Sequence, residues 1–316
     1  MKFFFTLLLA VICLQTHSFA QTEAPKTEKP PKDWTITGSF GLDLTGLGLI
    51  NPKLGGGDSR LGLGGLIALS ANLKKPKYFW NNNGGLQLSA QRIGGKSADF
   101  QKSLDILRLG SRFGYRILGD KLFVALDGTA ESQLLKTYSG NLLNGVDSNL
   151  LSEFLSPARF AIAPGLDIKA TKELTFFLSP ASFNLTYIGN DNLAALEGQP
   201  LGNEAGKNNR SQVGFSVKAQ YVNKFFKDRI AFASKVAWFA DYKQNLNGNV
   251  LWQNILDIQI VKGLALGLFG DVFYDHFTLV QVEKAPAGAS PAELGQYLGL
   301  KPSLTGGFLL KYNAIF

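Results

Sequence analysis

Three arginines recur at every fourth position, Arg108, Arg112 and Arg116. On an extended strand that spacing places all of them on one face with ~13 Å between rungs. A basic ladder of this kind can guide an anion through a pore. A structural reading follows from the turn after them. With Gly119-Asp120 as a two-residue hairpin loop, Leu118 opposes Lys121, so Arg112 faces Asp127, Arg108 faces Glu131 and Arg116 faces Phe123. Two arginines are then neutralised by the next strand, each pair contributing ~0.2–1 kcal/mol. Arg116 is left without a counter-charge and is the residue expected to set selectivity.

Other reactive groups are scarce. His276 is the only histidine beyond residue 20, and the single cysteine, Cys13, lies inside an N-terminal apolar stretch. A His- or Cys-based metal centre is therefore excluded. A hydrolytic role for His276 would need a serine just after it, but the chain reads Asp275-His276-Phe277-Thr278, which describes a strand end. Gly95-Lys96-Ser97 imitates the end of a phosphate-binding loop, yet Ala90 stands where the first glycine belongs and no helix follows. Neither an enzyme nor a cofactor is expected.

The elements that position these side chains follow from composition and periodicity. Of 316 residues, 45% are hydrophobic and only 18% charged, with 35 glycines and 12% aromatics. Soluble domains are nearer a quarter charged and ~7% glycine. Met1-Lys2, an apolar core from Phe3 to Leu14 and Ser18-Phe19-Ala20 form a secretory signal, with cleavage expected after Ala20. Residues 21–33, rich in Pro, Lys and Glu, form a disordered periplasmic linker. An exported chain does not meet nucleic acid, so the net charge of +8 is ascribed to lysines in short turns, such as Lys74, Lys121, Lys172 and Lys227.

From Trp34 to Phe316 apolar residues alternate in twelve runs, for example Leu107-Leu109-Phe113-Tyr115-Ile117 and Ile230-Phe232-Val236-Trp238. Strict alternation predicts half-buried strands, and an even number suits a closed barrel. Most connections alternate short and long, which predicts short periplasmic turns on one rim and long extracellular loops on the other. The apolar registers carry no charge. The opposite parity carries eight basic residues (Arg60, Arg108, Arg112, Arg116, Arg159, Lys218, Lys235, Lys311) and eight acidic ones (Asp43, Asp127, Glu131, Asp167, Asp241, Asp257, Asp271, Asp275). Arg92 and Asp105 break the parity at the ends of their runs, and Pro164 and Pro180 predict bulges or bends. The fold class expected over 34–316 is all-β, a transmembrane antiparallel up-and-down barrel of about twelve strands. The pore-lining candidates are Arg108, Arg112, Arg116, Asp127, Glu131, Arg159, Asp257, Asp271 and Asp275.

The final run, Phe308-Leu310-Tyr312-Ala314-Phe316, resembles the signal read by the outer-membrane barrel assembly machinery, so Phe308, Tyr312 and Phe316 are the expected assembly residues. A second resemblance rests on Asn149-Leu150-Leu151-Ser152-Glu153-Phe154-Leu155-Ser156-Pro157, echoed by Phe177-Leu178-Ser179-Pro180, then Leu185-Thr186-Tyr187, Asn190-Asp191-Asn192-Leu193-Ala194 and Glu204-Ala205-Gly206-Lys207. This resembles a Bacteroidetes outer-membrane barrel family catalogued as a domain of unknown function. Asn51-Pro52-Lys53-Leu54-Gly55-Gly56-Gly57 departs from the Trp- and Asn-rich first hairpin such families carry. The resemblance implies the outer membrane and a barrel, and no activity; outer-membrane lipid and, during biogenesis, the assembly machinery are the expected partners. Two readings stand: a narrow passive channel or small-solute transporter, or an accessory barrel with an occluded lumen that binds partners or ligand at its long loops.

Overall fold

The computed structural model describes residues 33–51, 60–92, 99–139, 142–143, 149–196, 201–204, 206–283, 295–312 and 314–315. The expected signal peptide, the linker up to residue 32, Gly95-Lys96-Ser97 and Phe316 lie outside the described residues, as does the side chain of Tyr312.

Twelve long strands form one ring. In chain order they are β1 Trp34–Ile50, β2 Arg60–Lys74, β3 Tyr78–Arg92, β4 Phe100–Leu118, β5 Leu122–Ser132 and β6 Ala158–Lys169. Then come β7 Leu174–Tyr187, β8 Asn209–Phe225, β9 Ile230–Asp241, β10 Gly248–Val261, β11 Leu264–Asp275 and β12 Ser303–Tyr312. Each pairs antiparallel with its chain neighbours. The ring closes where β12 pairs with β1, from Asp43↔Lys311 to Ile50↔Leu304, and continues as Phe40↔Ala314 and Ser39↔Ile315. Closure removes the sheet edge, which an open sheet would leave unpaired in hydrocarbon.

The predicted apolar registers face outward. Leu63 and Leu69 on β2, Leu109 and Phe113 on β4, Ile162 on β6 and Trp238 on β9 are all exposed. A barrel whose outer band is this apolar and uncharged is of the membrane-spanning type. Aromatic residues gather towards both rims. Trp34 and Trp80 pack at 5.7 Å across β2 on the short-turn side, and Phe215 meets Trp238 at 6.2 Å near the loops.

One outward arrangement occurs twice. Trp80 on β3 donates from Nε1 to Ser111 Oγ on β4 at 2.9 Å, and Ser111 donates to Asn82 Oδ1 at 2.8 Å. Asn82 in turn donates to the Ala71 carbonyl on β2. On the other side of the ring, Trp252 on β10 donates to Ser234 Oγ on β9 at 3.1 Å, and Asn254 donates to the Gly270 carbonyl on β11. In each case Asn stands two residues after Trp and directly opposite the serine. The outward amides are thus bonded within the wall, which makes them tolerable beside lipid.

The irregular positions have local causes. Ser179↔Ser216 is followed by Ser182↔Gly214, so β7 carries one extra residue at Pro180-Ala181, and both of these point outward. Against β6 the ladder skips from Ile162↔Phe183 to Leu166↔Leu178. This bulge satisfies both prolines, as expected, and reverses the parity of β7. Asp105, on the wrong parity, is also explained. A bulge near Ser103 puts Lys102 and Asp105 on one face, where they pair at 3.1 Å, and Asp105 accepts the Leu134 and Leu135 N–H groups. Its charge is covered and compensated.

The connection after β9, short by expectation, is the 3₁₀ turn Tyr242–Gln244, capped by Asp241 accepting from Lys243 N at 2.9 Å. The long connections are folded segments. Thr137–Tyr138 pairs with Leu150–Ser152, and Val280–Gln281 pairs with Leu298–Gly299. Between β7 and β8 a short helix, α1 Asp191–Ala194, is capped by the Asn190 side chain. Ile188, Leu193, Ala194 and Leu201 form a small buried core there, joined by Leu150 from the preceding loop. Asn190 binds Glu153 and Ser156 of that loop. In this exposed cap the Lys207 ammonium bonded to Glu204 holds that carboxyl below its ordinary range.

Candidate functional site: the barrel lumen

The inward face of β4 to β8 is ionic. Arg112 donates from Nε to Asp127 Oδ2 at 2.7 Å and from Nη1 to Asp167 Oδ2 at 2.9 Å. Lys218, on β8, reaches over β6 and β7 to the other Asp127 oxygen. Phe177 lies beneath, fully buried, its ring centroid 4.7 Å from the Arg112 guanidinium and 5.8 Å from the Lys218 ammonium. Two cations and two carboxylates stacked on an aromatic face form one mutually dependent cluster. Four residues towards the loops, Arg108 donates to Glu131 at 2.6 Å and also feels the charge of Asp271 on β11.

Closer to the short turns the filling is aromatic. Gly114 has no side chain on the inward face of β4, so the Phe79 ring lies across it; a Cβ at Gly114 would sit 2.3 Å from that ring. Phe79 meets Phe123 edge-on at 5.2 Å. The Lys169 ammonium stands over both rings, at 4.4 and 4.2 Å. One side of the barrel interior is therefore packed.

The opposite wall differs. On β8 to β12 the inward row Gln220↔Lys235↔Gln253↔Asp271↔Thr305 is polar. The next row towards the turns, Val222↔Ala233↔Ile255↔Phe269↔Gly307, is apolar or small. Val222, three residues before the end of β8, and Ile255, midway along β10, each remain 42% exposed although they point inward. Cysteine placed at either position should react with a water-soluble maleimide, whereas cysteine at Leu109 or Trp238 should be protected in vesicles. Protection of both inward cysteines would show a dry interior.

The sequence-derived candidates fare unevenly. The pairs Arg112–Asp127 and Arg108–Glu131 form as expected. The turn itself differs: Leu118 pairs with Leu122 rather than Lys121, and an extra residue at Ile117 restores Arg116↔Phe123. Arg116 is not without a counter-charge, because its Nη1 pairs with Asp120 in the turn at 2.7 Å. This overturns the expectation of a free cation there; a turn carboxylate within arm's reach supplies the charge the cross-strand phenylalanine lacks. Arg159 stands between Glu131 and Thr186 in the ladder, and Asp271 accepts from Gln253 at 3.2 Å. Asp257 is inward on β10 and partly buried. Asp275 caps its own turn, accepting from Phe277 N and Thr278 Oγ1. Phe308 is outward and 38% exposed.

Sequence reasoning passed over Asp167, Lys218 and Lys235 as site residues, although all three sit on the inward parity. Phe177 figures there only as part of the Phe-Leu-Ser-Pro echo, and Gly114 not at all. A glycine interrupting an otherwise bulky strand was the available signal for Gly114.

Fold and lumen together define a closed, membrane-spanning type of β-barrel with a one-sided ionic filling. Residues 51–138 match the family model described as "Protein of unknown function (DUF3078)". That stretch includes β2 to β5 but not the doubled Phe-Leu-Ser-Pro. No curated protein matches the chain. Among solved structures, the chain is similar to the NanC porin at 8% identity, covering 86% of this chain and 98% of that one, with a TM-score of 0.37. It is similar to the COG4313 outer membrane channel from Pseudomonas putida F1 at 8% identity, covering 92% and 100%, TM-score 0.39. A Pseudomonas aeruginosa FadL homologue gives 9% identity, covering 89% and 90%, TM-score 0.32.

Proposed function

We propose that the protein is an outer-membrane barrel of a Gram-negative cell that passes small solutes passively through a narrow, one-sided lumen. A secretory signal cleaved after Ala20, a C-terminal assembly signal ending at Phe316 and kinship with Bacteroidetes barrels belong to this reading. It assigns no catalysis. The carrying observation is the exposure of Val222 and Ile255 on the inner face of the wall from β8 to β12. Apolar side chains left exposed on the inner face of β8 and β10 mark an unfilled path along that wall. The loop-binding alternative is supported less, since the cap between β7 and β8 has a core and cross-loop hydrogen bonds of its own.

Conductance tests this directly. The purified barrel in a planar bilayer should give small, steady steps, well below those of sixteen-stranded porins, because twelve strands enclose less lumen and half of it is packed. Complete absence of conductance would overturn the channel reading.

A further inference from the structure

Lys235 is an inward cation for which the described residues supply no partner. Among the described residues its ammonium makes no ion pair or hydrogen bond, and its side chain is exposed within the lumen. The charges acting on it most strongly are those of Lys218, Arg112 and Arg108 and of the Asp127 carboxylate, while Asp271, two strands along the same row, is bonded to Gln253. Both oxygens of Asp127 are already taken by Arg112 and Lys218. An enclosed ammonium facing three other cations calls for a counter-ion from outside.

The flanking rows say what kind of anion. Lys235 lies between Gln220 and Gln253, whose amides can hydrogen-bond an oxygen anion. Just below are Ile255 and Phe269, paired across β10 and β11; just above, Ala237 pairs with Leu251. Apolar rows this close disfavour a strongly hydrated inorganic ion and favour an anion with an apolar body.

We propose that Lys235 is the docking cation for small carboxylate solutes with an apolar body, the carboxylate on the ammonium and the body against Ile255 and Phe269. The proposal deepens the channel reading above and rests on it for access, but binding and conduction can be separated. Sodium benzoate and sodium acetate are titrated calorimetrically into the full barrel in detergent. Benzoate should bind saturably, one per barrel and at least tenfold more tightly than acetate. Lys235→Gln should weaken benzoate at least tenfold, Lys235→Arg less than threefold, and Ile255→Ser should weaken benzoate while leaving acetate unchanged. Heat-modifiable migration on gels verifies that each variant is folded. Absence of saturable benzoate binding, equal affinity for the two anions, or an unaltered Lys235→Gln would each overturn the proposal. Benzoate binding without conductance would instead remove the channel reading and leave the docking site standing.

Discussion

Arg112→Glu should be the most damaging single change in the lumen. It would place a third carboxylate beside Asp127 and Asp167, whose side chains are 8% and 4% exposed, and leave Lys218 as the only cation in direct contact. Removing one partner of a buried ion pair costs ~3–5 kcal/mol, and here one guanidinium serves two carboxylates. Asp167 is the more dependent of the two, since its Oδ1 is buried with no hydrogen-bond partner among the described residues and its Oδ2 rests on Arg112. The urea midpoint of the refolded barrel should therefore fall by at least that equivalent. Combining Arg112→Gln with Asp167→Asn should recover much of the loss seen for Arg112→Gln alone. Additive effects in that double-mutant cycle would mean that the cluster is not the coupled unit its geometry describes.

Gly165→Ala should disrupt the barrel by a different route. A Cβ there would stand 2.2 Å from the Leu178 carbonyl oxygen and 3.0 Å from the ring of the buried Phe177. The obstacle is backbone in a strand already bent by the Pro180 bulge, so neither neighbour can yield cheaply. Overpacking of this kind reaches or exceeds the upper end of the usual ~1–3 kcal/mol. Gly270→Ala is the matched control, because nothing lies within 4 Å of a Cβ at that outward position. Equal urea midpoints for the two variants would refute the close approach of β6 and β7.

What could be read from the sequence divides by range. The twelve strands were legible because alternation is a local signal, and the lipid side was legible because charge avoids it. Cross-strand partners of β4 were legible too, and by compensation. The turn at Gly119 is one residue longer than a two-residue loop, but the bulge at Ile117 restores the expected opposition of Arg112 with Asp127. Arg112 with Asp167, and Lys218 with Asp127, join strands that are not neighbours. Such contacts depend on wall curvature and side-chain reach, which no periodicity encodes. For the same reason eight inward charges of each sign did not reveal that Lys235 stands apart from the pairing. Arg116 has a partner that cross-strand opposition does not show, since Asp120 lies four residues along the same chain.

The twin Trp–Asn–Ser arrangements bear on how the molecule rides in its bilayer. One spans β3 and β4 near the short turns; the other spans β9 and β10 near the loops, half the ring away. Indoles favour the headgroup level, and each Asn sits two residues deeper than its Trp. A vertical slip would drown one indole and lift the other into water, so the pair fixes height. A lean along the line joining them would move both indoles inward, or both outward, so the pair also resists leaning. Two small polar knots on opposite flanks thus hold the whole cylinder upright, as two diagonal pegs hold a post.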